Sequence, residues 1–144
     1  MNLIIFVGVG CMNDFTKTEM EEALSAITSM ISRTEKAGEK FTQGTSQQTL
    51  QRNRLLALNI ASSLILNELG DSNGLECYTK EDLKKALAPI ASLISKSEKA
   101  QQKLTQGTWQ HTMLSNNLKA LYIASPLLTK ALSEISTGKE QIKD

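Results

Sequence analysis

Residues 15–69 align with residues 78–132 without a gap, at the constant offset of 63 that separates Thr16 from Thr79. Roughly half of the paired positions are identical. "ISRTEKAGEKFTQGT" is answered by "ISKSEKAQQKLTQGT", and "ALNIASSL" by "ALYIASPL". Identity at that level over a fixed period means a duplicated unit, so whatever one copy folds into, the other must match. The two copies are joined by "GDSNGLEC", a Gly/Asn/Asp-rich linker.

Each copy opens with the same helix-start device. Thr16 stands as N-cap with Glu19 placed to reach back to its amide, and Phe15 and Met20 are spaced as a hydrophobic staple. Tyr78, Thr79, Asp82 and Leu83 repeat both features. Apolar residues then follow steps of three and four. In copy one these are Met20, Ala23, Leu24, Ile27, Met30, Ile31, Ala37 and Phe41, answered by Leu83, Ala86, Leu87, Ile90, Leu93, Ile94, Ala100 and Leu104. A second stripe runs Leu50, Ala57, Leu58, Ala61, Leu64, Ile65 and Leu69, matched by Met113, Ala120, Leu121, Ala124, Leu127, Leu128 and Leu132. Between the stripes lie "TQGTSQQT" and "TQGTWQHT". Gly44 is expected where the first helix stops, in the left-handed conformation that glycine accepts, and Thr45 is expected to cap the second helix. Gln48 holds the capping-box position, with Thr108 and His111 in the second copy. Turn chemistry explains these residues better than a ligand loop does.

Each copy is therefore a helical hairpin. One hairpin alone would leave both stripes wet, and two bury them against each other. The expectation is an all-α, antiparallel four-helix bundle with helices at 17–41, 46–69, 80–104 and 109–134, to within a few residues at each end. Residues 15–135 form the bundle, 1–14 an apolar leading segment, and 136–144 a polar tail. Composition agrees: 144 residues suit one domain, 40% are hydrophobic, and an aromatic content of only 4% with two prolines disfavours a β-sandwich. Pro89 and Pro126, which replace Ala26 and Ser63 of copy one, are expected to kink or split their helices.

The inventory of chemistry is short. The di-iron pattern of helical bundles needs Glu-x-x-His on two helices, and the chain has one histidine, His111. There is no CxxC, no phosphate loop and no nucleophile elbow, and "GVGCMN" lacks the third glycine of a dinucleotide motif. No catalytic residue, metal or cofactor is implied, and the chain reads as a non-enzyme. Asn53 and Asn116, with Thr34 and Ser97, interrupt the stripes and are expected on the core side, fixing helix register. A polar cavity for a small ligand is the functional alternative there.

The leading segment "LIIFVGVGC" is too short to cross a bilayer and has the length of a signal-peptide core. Gly8-Val9-Gly10-Cys11 resembles the lipobox of bacterial lipoprotein signals. The resemblance implies cleavage before Cys11, acylation of that cysteine and a place in the cell envelope. A buried strand or apolar arm remains open as the alternative, as does a Cys11–Cys77 bridge in an exported protein.

Net charge is only +1, but its distribution is uneven. Residues 30–58 and 93–121, the half of the bundle that carries both turns, hold nine cations against three anions; the rest holds seven against twelve. Lys40 and Lys103 complement helix C-termini, but Arg33, Lys36, Lys96 and Lys99 lie one to two turns further back at matching positions. A clustered field of this sign attracts anions. Trp109, which replaces Ser46, is expected as a lid on that end of the bundle, with an interface contact as the other reading. The functional expectation is an exported binding module that presents Arg33, Lys36, Lys40, Lys96, Lys99, Lys103 and Trp109 to an acidic protein or an envelope polyanion, with the membrane reached only through the lipid on Cys11. A cytoplasmic bundle touching nucleic acid is the rival.

Overall fold

The computed structural model describes residues 15–70 and 78–143, with side chains as far as residue 134. Four helices follow in order: α1 (Lys17–Gly38), α2 (Ser46–Glu68), α3 (Lys80–Gln102) and α4 (Trp109–Lys143). No strand occurs among the described residues. The lipobox-like residues, Cys11 and Cys77 lie outside them.

The helix starts form as their sequences dictate. Thr16 Oγ1 accepts the Glu19 amide at 3.0 Å, and Glu19 Oε1 accepts the Thr16 amide at 2.8 Å. Thr79 and Asp82 exchange the same two bonds at 3.1 Å each. Phe15 and Tyr78, just ahead of the caps, rest half-buried against the core. In each case two amides that the first turn leaves without partners are satisfied locally.

The helices pack as a ring, α1 on α2, α2 on α3, α3 on α4 and α4 on α1, and α2 also meets α4 across the centre. A twofold relation between the hairpins requires that pairing of interfaces. Lys130 Nζ lies 4.0 Å from Glu68 Oε2, which brings the late part of α4 to the C-terminal end of α2. The hairpins therefore stand the same way up, with both turns at one end. The result is an antiparallel four-helix bundle built from a duplicated hairpin.

Central position decides which residues are buried. α1 contributes a single row, Met20, Ala23, Ile27 and Met30, and α3 contributes Leu83, Ala86 and Ile90. Each of α2 and α4 touches three neighbours and buries a wider arc. Ile60 and Ile123, outside the expected stripes, are buried for that reason. Stripe members away from the centre fare the opposite way: Phe41, Leu50 and Leu87 are exposed.

Three further expectations need correction. α1 ends at Gly38 rather than residue 41, because the chain tightens into i→i+3 bonds from the Lys40 amide to Ala37 O and from the Phe41 amide to Gly38 O. Gly44 thus shapes the turn instead of ending the helix. Asn53 and Asn116 are exposed, and the inward polar positions are their neighbours Arg54 and Asn117. A helix turns 100° per residue, so a one-position error in phase moves a side chain from core to rim. Pro89 and Pro126 sit inside α3 and α4 and do not split them. The carbonyls that lose a partner four residues back belong to Lys85 and Tyr122, both exposed, where water can replace the missing amide. α4 also continues beyond residue 134 to Lys143.

Candidate binding surface at the turn end

The turn end is built by two copies of one device. In Thr42–Thr45 the Thr45 amide bonds Thr42 O at 3.3 Å, and in Thr105–Thr108 the Thr108 amide bonds Thr105 O at 3.2 Å. The third residue of each turn is glycine at positive φ, +88° for Gly44 and +94° for Gly107. That is the position at which a four-residue turn of this kind demands a left-handed backbone. Thr45 and Thr108 each donate a hydroxyl proton back to the carbonyl that opens the turn, at 2.8 Å. The same hydroxyl oxygens accept the Gln48 and His111 amides at 3.2 Å and so cap α2 and α4. Gln48 Oε1 accepts the Gly44 amide at 3.1 Å. The turns thus hold themselves through local hydrogen bonds, and the His111 amide is part of a cap.

Around this scaffold stand the cations singled out from the sequence. Arg33, Lys36, Lys40, Lys96, Lys99 and Lys103 are all exposed. The ion pairs among the described residues, Lys84 with Glu81 and Lys130 with Glu68, both lie toward the opposite end. None of the six cations pairs with a carboxylate among the described residues; Arg33 only donates to Ser29 Oγ, at 2.9 Å. Negative charge at the open end is partly neutralised in place, and positive charge at the turn end is not.

Trp109 is 69% exposed, so it does not close the bundle end. Its position explains this: it is the first residue of α4, directly after the Thr108 cap, and points away from the core that begins a few turns later. Phe41 and Leu50 are exposed at the same end, a grouping that stripe periodicity assigned to the core. Phe41 lies beyond the early end of α1, and Leu50 lies in the first turns of α2.

The duplicated hairpins have diverged in how they are clamped. In the second, the Tyr122 hydroxyl donates across to Glu98 Oε2 and the Gln101 amide donates to Ser115 Oγ. The first hairpin has Asn59, Glu35, Gly38 and Arg52 at those places, and Asn59 bonds its own helix at Leu55 O, 2.9 Å away. The hydrogen bond to Glu98, with smaller contributions from desolvation and the carboxylate charge, raises the Tyr122 phenol above its ordinary value of 10.0.

A groove of about 740 Å³ runs between α1 and α4. Glu19 and Glu22 line one end of it, and Arg33, Met113 and Asn116 the other. On its floor is Asn117, the buried polar side chain at 7% exposure, where the first copy carries Arg54 with a buried Nε that has no partner. No group of metal-ligating side chains occurs among the described residues, and none of their helices is long and apolar enough to cross a membrane. No family model, curated protein or solved structure matches this chain.

Proposed function

We propose that this protein is a non-enzymatic binding module whose turn end captures an anionic partner. The observation that carries this is the set of three cation pairs, 33 with 96, 36 with 99 and 40 with 103, exposed, without ion-pair partners among the described residues, and repeated at equivalent places around two adjacent turns. Unneutralised like charges on one end repel each other and lower stability slightly, so an external counter-charge gains what the fold itself does not supply. Acidic protein segments and envelope polyanions both present that charge. Acylation of Cys11 would tether the opposite end, since only four residues, Met12 to Phe15, separate it from Thr16, the cap of α1. Helices of 22 and 23 residues would then hold the turns roughly 33 Å from the tether.

Retention on immobilised heparin, a generic polyanion, tests the binding reading. The full chain should be held at low salt and released as salt rises. The combined substitution Lys36→Glu, Lys99→Glu and Lys103→Glu should abolish retention while leaving helicity and melting temperature nearly unchanged, because all three side chains are exposed. Undiminished retention at equal salt would place the binding surface elsewhere.

A small-ligand reading has one observation in its favour, Asn117 on the floor of the α1–α4 groove. Of the register residues expected to line such a site, Asn116 stands exposed on its rim and Asn53 lies outside it. The turn end therefore stands as the principal surface.

A further inference from the structure

Trp109 and Phe41 stand at the turn end among cations that continue from the turns back along the helices. Trp109 adjoins one turn, Phe41 the other, and Leu50 lies one helical turn into α2. Lys40 and Lys103 flank the turns; Lys36 and Lys99 lie about 6 Å further back along the helices, and Arg33 and Lys96 about 10 Å back, at 1.5 Å per residue. A soluble polyanion would neutralise the cations and leave Trp109, Phe41 and Leu50 in water. An anionic bilayer engages both at once. Its interfacial zone accepts apolar side chains to a depth of about 5–10 Å, tryptophan favours that zone, and headgroup phosphates then meet the cations at the depth where these stand.

We propose that the turn end docks on an anionic phospholipid surface, with Trp109 and Phe41 entering the interfacial layer, Lys40 and Lys103 beside them, and Leu50, Lys36 and Lys99 at headgroup level. The proposal rests on the reading of the turn end as the binding end and names the partner for it, in place of the Cys11 tether, which would hold this end away from its own membrane. A surface of lipid also suits the polar turns, whose threonines and glutamines stay hydrated among the headgroups. The orientation is end-on, with the bundle axis steep to the membrane, because Trp109, Phe41 and Leu50 lie at the turn end, whereas the other exposed large apolar residues, Leu87 and Tyr122, stand singly on α3 and α4.

The chain contains a single tryptophan, so its fluorescence reports on this site alone. The full chain is mixed with vesicles of phosphatidylcholine, or of phosphatidylcholine with phosphatidylglycerol, and binding is followed by co-sedimentation and by Trp109 emission. Binding to the anionic vesicles only is expected, with a blue-shifted emission that brominated lipid quenches. Lys36→Glu with Lys99→Glu and Lys103→Glu should weaken it on the order of a hundredfold. Trp109→Ser with Phe41→Ser should weaken it about tenfold or more at unchanged helicity. Sedimentation with unshifted, unquenched Trp109 emission overturns the proposal, because the apolar leading segment or another face is then responsible. Equal binding to both vesicle types overturns it as well. Heparin retention without vesicle binding overturns the lipid partner and leaves the binding module standing. Failure on both probes removes both.

Discussion

At the scale of single residues, the duplication works as an internal experiment. Position 54 and its partner 117 started from one residue and now hold Arg54 and Asn117, the inward polar pair of the bundle. Position 122 shows the consequence of divergence most directly. Tyr122 reaches Glu98 on the neighbouring helix, while its counterpart Asn59 bonds only its own helix. The bond favours the protonated phenol, so the folded-state value lies above the ordinary 10.0. A raised folded value contributes stability that is fully present below the unfolded value and lost as pH climbs through the folded one. Phenolate absorbance, read in a Tyr78→Phe background, should titrate above 10.0 in the native protein and move back toward it in Glu98→Gln. A titration unaffected by Glu98→Gln would show that the contact does not persist in solution.

At the scale of elements, the turn "TQGT" recurs because each hairpin needs the same left-handed glycine. Nothing lies within 4 Å of a Cβ built on Gly44 or Gly107, so the demand is one of backbone conformation alone. Gly44→Ala and Gly107→Ala should each cost about 1–2 kcal/mol, the strain of a left-handed non-glycine residue. Gly38, the last residue of α1, is the contrast: an added Cβ meets Gln51 Cβ at an ordinary 4.0 Å. Gly38→Ala should therefore stabilise by roughly half a kcal/mol, through a stiffer unfolded chain. Urea unfolding at unchanged slope would measure all three, and opposite signs at 38 and 44 are the point of the comparison. Helix starts and turns were legible in the sequence because they depend on residues within four positions of each other. The end of α1 was not, since the chain could close its turn from either Gly38 or Phe41.

At the scale of the whole molecule, the two hairpins complete one core. Ile27, Leu58, Ile60, Leu83, Leu121 and Leu128 are all buried, and they come from all four helices. An isolated hairpin of residues 15–70 would expose its share of these to water. It should show partial helicity without a cooperative thermal transition, whereas the full chain should melt in one step. A cooperative melt of the isolated hairpin would mean that the duplication joined two self-sufficient units. The same scale sets the functional surface: charges repeated on two hairpins reinforce each other only because both hairpins stand the same way up.

Local order in the sequence was enough to determine the duplicated unit, its capped helices, its glycine turns and the presence of a four-helix bundle. Each of these rests on short-range geometry or on a periodicity sustained over many residues. Tertiary structure decided what periodicity leaves open. It placed α2 and α4 at the centre, so that Ile60 and Ile123 are buried, and it left Leu50, Phe41 and Trp109 in solvent. It also turned Asn53 and Asn116 outward and Arg54 and Asn117 inward. A stripe of apolar residues defines the direction of a buried face only to within about one residue, or 100° of helix rotation. How wide that face becomes, and which of its ends goes uncovered, depends on how many neighbours each helix meets and where they stop.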